Sequence, residues 1–392
     1  MKLKTLSQAE TNNKTVLLRV DFNVPMNKSG EVEDQTRLEA CLPTVRKLIQ
    51  KGAKVVLISH LGRPDGKVSP EFSLKPVAAA FGKLLGQEVP CLSDCIGPEV
   101  KTQVTKMQAG EVLLLENTRF HSEEESNDPE FAKELASLGD LFVNDAFGTI
   151  HRGHASTLGI TNHLPSYAGL LLEKEIQALS QLMENPKRPL CLIMGGAKID
   201  TKIGILESFL PIADSFLIGG ALANTFLAAQ GHSVGNSLYE KDKISTASRF
   251  LTEARDKEVL LPTDVTLAEE ISENVETTIA SVDKVPTNAK ILDLGPETQK
   301  EFAKSILNAK TILWNGPMGL YEFTPFTEGT RSIIQAIKDS SALKIVGGGD
   351  SIDAFHKLGF QESDFTHVST GGGAMLEFLE GRALPGLTPL ID

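Results

Sequence analysis

The chain reads as an α/β protein of two domains, each built on a parallel sheet flanked by helices, with a further helix joining them. Three observations carry that expectation. Short runs rich in Val, Ile and Leu alternate with amphipathic stretches, the pattern of repeated strand–helix units around sheets buried on both faces. The length of 392 residues exceeds the roughly 100–200 that one domain usually occupies. The residues that follow the apolar runs also change character midway, from charged and polar groups to clustered glycines. Open parallel sheets bind ligands beyond the carboxyl ends of their strands, so the change implies two binding ends of different chemistry.

In the first half, Val16-Leu17-Leu18-Arg19-Val20 runs into Asp21-Phe22-Asn23, Val55–Ile58 into Ser59-His60-Leu61-Gly62-Arg63, and Val112–Leu115 into Glu116-Asn117-Thr118-Arg119. Leu141-Phe142-Val143 is a further strand, followed by a loop that carries Arg152. Leu38–Gln50, Leu74–Leu85 and Asp128–Leu138 have apolar residues at helical spacing. A boundary falls at His163–Tyr167, and Ala168–Met183 reads as the joining helix, stopped by Asn185-Pro186-Lys187-Arg188-Pro189. Strands are expected again at Leu192–Met194, Ala213–Gly220, Val259–Asp264, Ala289–Leu294, Thr311–Asn315 and Ala342–Val346, then at Val368. Several of these end in glycine clusters at Gly195-Gly196, Gly219-Gly220, Gly347–Gly349 and Gly371–Gly373, where bare backbone amides can approach a phosphate closely.

A hydrophobic content of 41% and a charged content of 23% fit a globular protein able to bury two cores. The formal net charge of -12 argues against nucleic acid or an anionic membrane as partner, although a local arginine cluster can still hold a small anion. The amino-terminal residues lack an apolar leader, and no apolar run is long enough to span a bilayer, so a cytoplasmic location is expected. Four cysteines are too few for a disulfide framework, and Cys91 with Cys95 lacks a second pair for a zinc site, so all four read as structural.

Arg37, Arg63, Arg119 and Arg152 are the candidates to hold a phosphorylated carboxylic acid, because the guanidinium fork pairs with carboxylate and phosphate oxygens. One such Arg would read as a surface charge; several at strand ends read as an anion site. Asp21 and Asn23 suit hydroxyl recognition or a turn, and His60, His151 and His154 suit structural hydrogen bonds as well as acid–base work. Gly195-Gly196-Ala197-Lys198-Ile199-Asp200-Thr201-Lys202 sets bare amides and two ammonium groups at what reads as a helix start, without the spacing of a Walker A loop. Asp350 follows three glycines and reads either as a magnesium-linked carboxylate or as a helix N-cap. No serine–histidine–acid or metal-ligand motif is evident.

Taken together, Arg19–Pro25, Ser59–Pro64, Glu116–Phe120, Gly195–Lys198, Trp314–Gly319, Gly347–Ser351 and Ser369–Ala374 resemble, in order and over almost the whole chain, the signatures of the phosphoglycerate kinase family. The resemblance implies two Rossmann-like domains joined by a hinge helix, and transfer of a phosphoryl group between 1,3-bisphosphoglycerate with ADP and 3-phosphoglycerate with ATP. It implies magnesium as the nucleotide complex, a monomer, and no nucleic-acid or membrane partner. Residues 1–167 would bind the acid, 168–183 form the joining helix, 184–373 bind nucleotide, and 374–392 return to the first domain.

Matched to the family's motifs, Asp21, Phe22, Asn23, Arg37, His60, Leu61, Gly62, Arg63, Arg119 and Arg152 stand at acid-binding positions. Gly196, Ala197, Lys202, Gly220, Asn315, Pro317, Glu322, Gly348, Gly349, Asp350 and Ser351 stand at nucleotide positions, with Asp350 toward the metal. Arg37, Lys198, Gly349 and Gly372 stand where the transferring group is stabilised. Gly153 and Tyr321 depart from the commoner Ala and Phe. A carboxylate or phosphate nucleophile is already ionised, so the chemistry needs no general base, which accords with the missing triad. A dinucleotide oxidoreductase would need a G-x-G-x-x-G turn that is not found, and a non-catalytic binding protein would not need Lys198, Asp350 and the glycine clusters together.

Overall fold

The computed structural model describes residues 1–392, which divide into two compact units, Met1–Gln177 with Arg382–Asp392, and Ala178–Gly381. The first unit holds strands β1 (Thr15–Arg19), β2 (Lys54–Ile58), β3 (Val112–Leu114), β4 (Leu141–Asn144) and β5 (Ser166–Ala168), all parallel, in the order β3-β2-β1-β4-β5. Successive strand side chains point to opposite faces, so near-continuous apolar runs feed two cores. Val16, Leu18, Val55 and Leu57 join one core with Leu38, Val45 and Phe81 from the helices Thr36–Gln50 and Lys75–Leu85. Leu17, Val56, Ile58 and Phe142 join the other with Val100, Phe131 and Leu135 from Pro98–Lys106 and Pro129–Ala136. Asp128 caps the latter helix by accepting from the Glu130 and Phe131 amides, at 3.0 and 2.9 Å.

The second unit has a parallel sheet of β6 (Leu190–Met194), β7 (Ser215–Ile218), β8 (Glu258–Leu260), β12 (Thr311–Asn315), β13 (Leu343–Gly347) and β14 (His367–Ser369), in the order β14-β13-β12-β6-β7-β8. It also has an antiparallel sheet of β9 (Asp264–Ala268), β10 (Thr278–Ser281) and β11 (Lys290–Leu294), in the order β10-β9-β11. In the first unit the chain progresses outward from β1 in one direction and from β4 in the other; in the second it does so from β6 and β12. A crevice opens at each reversal beyond the carboxyl ends of the two central strands.

Three expectations are corrected. Ala289–Leu294 does not extend the parallel sheet: β11 pairs antiparallel with β9 through a bulge between Ile291 and Asp293. Ser166–Ala168 pairs with β4 as an edge strand, the joining helix runs Leu170–Glu184, and the division at Gln177 falls within it. The return to the first unit begins at Arg382 instead of Ala374, because Ala374, Met375 and Leu379 of the helix Gly372–Leu379 are buried within the second unit. Lys198 does not open a helix: the helix after β6 is Ile203–Phe209, and Lys202 precedes its first turn.

Candidate active site

At the β1/β4 reversal of the first unit, Arg19 leaves the last position of β1 with its side chain only 1% exposed. Its Nε donates to Ser156 Oγ (2.9 Å), one Nη donates to the Val20 carbonyl, and the other lies 3.2 Å from His60 Nδ1. Ser156 in turn donates its amide and hydroxyl to Glu124, at 2.9 and 2.5 Å, and His154 Nδ1 lies 3.9 Å from the same carboxylate. Burial pushes the Glu124 carboxyl up while Arg19 and the Ser156 bonds oppose it. A guanidinium donating to Nδ1 makes that atom an acceptor, so His60 is neutral.

The same cluster holds His60 well below its ordinary range, through burial first and then the positive charges of Arg19, Arg119, Arg152 and Arg37. His154 falls to about 4 by burial and by Arg119, Arg152 and Arg19. Arg37, at the second position of its helix, donates to Asp21 Oδ2 (2.9 Å) and the Asn23 carbonyl (3.0 Å). Asn23 Oδ1 accepts from the Gly62 amide (2.9 Å), and Arg119 donates to the Gly62 carbonyl (2.8 Å) and pairs with Glu125 at 3.0 Å. Gly62 has φ of +62° and a side chain there would strike the Phe72 ring, so glycine is required.

The predicted residues therefore do not all stand alike. Asp21, Asn23, Arg37, Gly62 and Arg119 share one hydrogen-bonded frame, while His60 bonds to Arg19 and Arg152 bears on it only through its charge. The side chains of Phe22 and Leu61 are buried, Phe22 against Phe81 with ring centres 5.0 Å apart, so these two anchor the loops. Arg63 is exposed and outside the frame. Arg152 donates to His151 at 3.3 Å. At Gly153 a methyl would meet Leu158 and Pro385 only at ordinary contact distance, so glycine is not a steric requirement there. Sequence reasoning missed Arg19, Glu124 and Ser156 as site residues; Arg19 ends a strand and could have been suspected, whereas Glu124 is one of three consecutive glutamates with nothing to distinguish it.

At the β6/β12 reversal of the second unit, the backbones themselves interlock. Gly195 donates to Asn315 O, Gly196 to Pro317 O and Gly220 to Met318 O, each at 2.9 Å. Added side chains at Gly195, Gly220 or Gly316 would collide with this backbone. Asn315 donates to Gly347 O (2.6 Å) and accepts from Lys202 Nζ, while Ser351 Oγ accepts from the Gly316 amide at 2.7 Å. Burial lowers Lys202 to about 8, with Asp350 pulling the other way. Lys198 is exposed and apart from this frame, its segment tied down by the Ile199 amide donating to Glu240 and by Lys243 paired to Asp200 at 2.8 Å.

Gly348, with φ of +99°, is the N-cap of the helix Gly349–Lys357, so Asp350 lies within the first turn and is not the cap. Its carboxylate is exposed. Space around Gly349 and Gly372 is open to at least 4 Å from an added side chain, which leaves two helix amino termini accessible to an anion. A cavity of about 540 Å³ adjoins the cradle, with Gly196, Ala197, Gly220, Pro317, Glu322 and Asp350 in its wall. Tyr321 donates to Asp353 at 2.7 Å and is buried.

A parallel α/β fold with an arginine-lined reversal point and a glycine-lined one defines a phosphotransferase. Residues 6–382 match the family model "Phosphoglycerate kinase". Phosphoglycerate kinases of Herpetosiphon aurantiacus and Chlorobium chlorochromatii are 50% and 51% identical to it, with all of both chains covered. The structure resembles phosphoglycerate kinase from Coxiella burnetii, at a TM-score of 0.91 and 42% identity over 99% of this chain and 98% of that one. It also resembles the Pyrococcus horikoshii OT3 enzyme, at 0.86 and 34% with the same coverage. The chain belongs to the phosphoglycerate kinase family and catalyses reversible phosphoryl transfer between 1,3-bisphosphoglycerate with ADP and 3-phosphoglycerate with ATP. No helix is long and apolar enough to cross a membrane.

Proposed function

We propose that the first unit holds the phosphorylated acid and the second the nucleotide, and that the phosphoryl group passes in line between the acid's carboxylate and the terminal oxygen of ADP. The observation that carries this reading is the first-unit arginine set, in which Arg37 is held by Asp21 and Asn23, Arg119 by Gly62 and Glu125, and Arg19 beside His60, so that with Arg152 the cations outnumber the carboxylates paired with them and suit a polyanion. Both nucleophiles are ionised, so the residues' work is positioning and charge stabilisation. Arg37, oriented by Asp21 and Asn23, and Lys198, exposed on its tethered loop, neutralise charge on the transferring group. The amides at Gly349 and Gly372 receive phosphate oxygens, while Asn315, Ser351 and Lys202 brace the cradle.

Magnesium bound with the nucleotide supplies neutralisation of phosphate charge, and the exposed Asp350 beside the open space at Gly349 is the carboxylate that would hold it. Transfer requires the two bound substrates to meet, a movement assigned to the joining helix. We read the enzyme as a cytoplasmic monomer, because one chain supplies both sets of residues and the family's reaction is metabolic.

Calorimetric titration of each variant with each ligand tests the assignment. Arg119→Ala should weaken 3-phosphoglycerate and spare ADP, and Gly349→Val the reverse; the crossed pattern overturns it. Small-angle scattering with both ligands should show a smaller radius of gyration than either ligand alone gives, and identical radii in every state would rule out the movement.

A further inference from the structure

Outside the two reversal points, Asp94, Cys95 and His121 bring a carboxylate oxygen, a sulfur and an imidazole nitrogen within 4.8 Å of one another. We propose that these three side chains form a binding site for one zinc-class divalent cation, with water as the fourth ligand. The donors come from two segments beside β3, one around Asp94 and the other after the turn Thr118–Phe120. They are already held in register: the Glu116 amide donates to the Asp94 carbonyl (3.3 Å), the Cys95 amide to Asp94 Oδ1 (2.6 Å), and His121 Nε2 lies 2.7 Å from the same oxygen. The His121 ring also packs against Phe131, with centres 5.3 Å apart, which fixes its plane.

Tetrahedral zinc, with bonds of about 2.0–2.3 Å to nitrogen, oxygen and sulfur, needs donors roughly 3.5 Å apart, so the His121–Asp94 pair opens from 2.7 Å and the wider separations, all within 4.8 Å, close on binding. Cys95 is buried and His121 and Asp94 are partly exposed, so the sulfur closes the inner side while solvent reaches the open position. A mixed sulfur–nitrogen–oxygen set selects zinc or cobalt over magnesium, so the nucleotide's metal does not compete. Cysteine spacing could not reveal this site, since a carboxylate and an imidazole from another loop complete it.

Binding forms metal–sulfur, metal–nitrogen and metal–oxygen bonds and releases the thiol proton to solvent. Coordination through Nε2 replaces its hydrogen bond to Asp94, and the neutral ring then carries its one proton on Nδ1.

Cobalt(II) titration of the full chain should give a thiolate-to-cobalt charge-transfer band that saturates at one ion per chain and is displaced by zinc. Cys95→Ser, nearly isosteric, should abolish the band, and His121→Gln, at a partly exposed position, should weaken cobalt by at least about tenfold. Should Cys95→Ser fail to fold, His121→Gln decides by itself. Absence of the band in the unmodified protein, its survival in Cys95→Ser, or unchanged affinity in His121→Gln overturns the proposal.

Discussion

Asp293 shows how burial of one side chain can set a pH dependence. It sits at the bulge of β11, 3% exposed, accepting from the Gly329 amide at 2.7 Å while Oδ1 has no partner. Burial raises its carboxyl from 3.8 to about 8. A raised carboxyl means that between those values the folded protein keeps a proton that the unfolded chain releases. Stability from this group is therefore fullest at low pH, falls by up to about 1.4 kcal/mol per pH unit through the window, and levels off above it. Asp293→Asn keeps the shape and an acceptor but cannot ionise. Urea midpoints between about pH 5 and 8 should accordingly depend less on pH in the variant; parallel curves would show that Asp293 is ionised in the fold. Single residues of this kind were not legible in the sequence. Glu124 lies in Ser122-Glu123-Glu124-Glu125, where composition says exposed helix, and only packing against Ser156 and Arg19 picks the middle glutamate for burial.

The elements were legible where burial is two-sided. Strands such as β2 and β6 read as continuous apolar runs because both faces are covered. The antiparallel sheet was not: the strand Ala289–Leu294 was expected but its pairing was not, because β11 is broken by a bulge and β10 of the same sheet is largely exposed, with no buried face to mark it. The helix Gly349–Lys357 gives the clearest prediction at this scale. Gly349 occupies its first position without a left-handed φ and with open space around it. Gly349→Ala should therefore stabilise the fold by about 0.4–1 kcal/mol while the new methyl obstructs phosphate and lowers kcat. Loss of stability would mean that the space is occupied in solution. Since Gly348 is the cap, Asp350→Asn should leave the melting temperature nearly unchanged and depress magnesium-dependent turnover; unchanged turnover would remove Asp350 from the metal's surroundings.

At the scale of the whole molecule, the first unit is closed by a segment far away in sequence. Leu384, Leu387 and Leu390 are buried, the Lys4 amide donates to Leu390 O and the Asp392 amide to Lys2 O at 2.8 and 2.9 Å, and the Gly386 amide donates to Ile150 O at 2.8 Å. Ile150 lies in the loop that carries Arg152. Ending the chain at Arg382 should lower the unfolding midpoint of the first unit, since three buried leucines contribute about 1.5–3 kcal/mol each. It should also raise KM for 3-phosphoglycerate more than KM for ADP. A truncated protein with unaltered KM for the acid would separate the Arg152 loop from this segment.

The same strap orders events in time. A ribosome delivers Ala178–Gly381 as one uninterrupted stretch, which can acquire its core as it emerges, whereas the half made first must wait with its last buried leucines missing until the rest has been translated. Interrupted synthesis before Arg382 thus leaves the half that carries the arginine cluster incompletely packed and open to proteolysis. Completion of the polypeptide becomes a condition for stable handling of the acid.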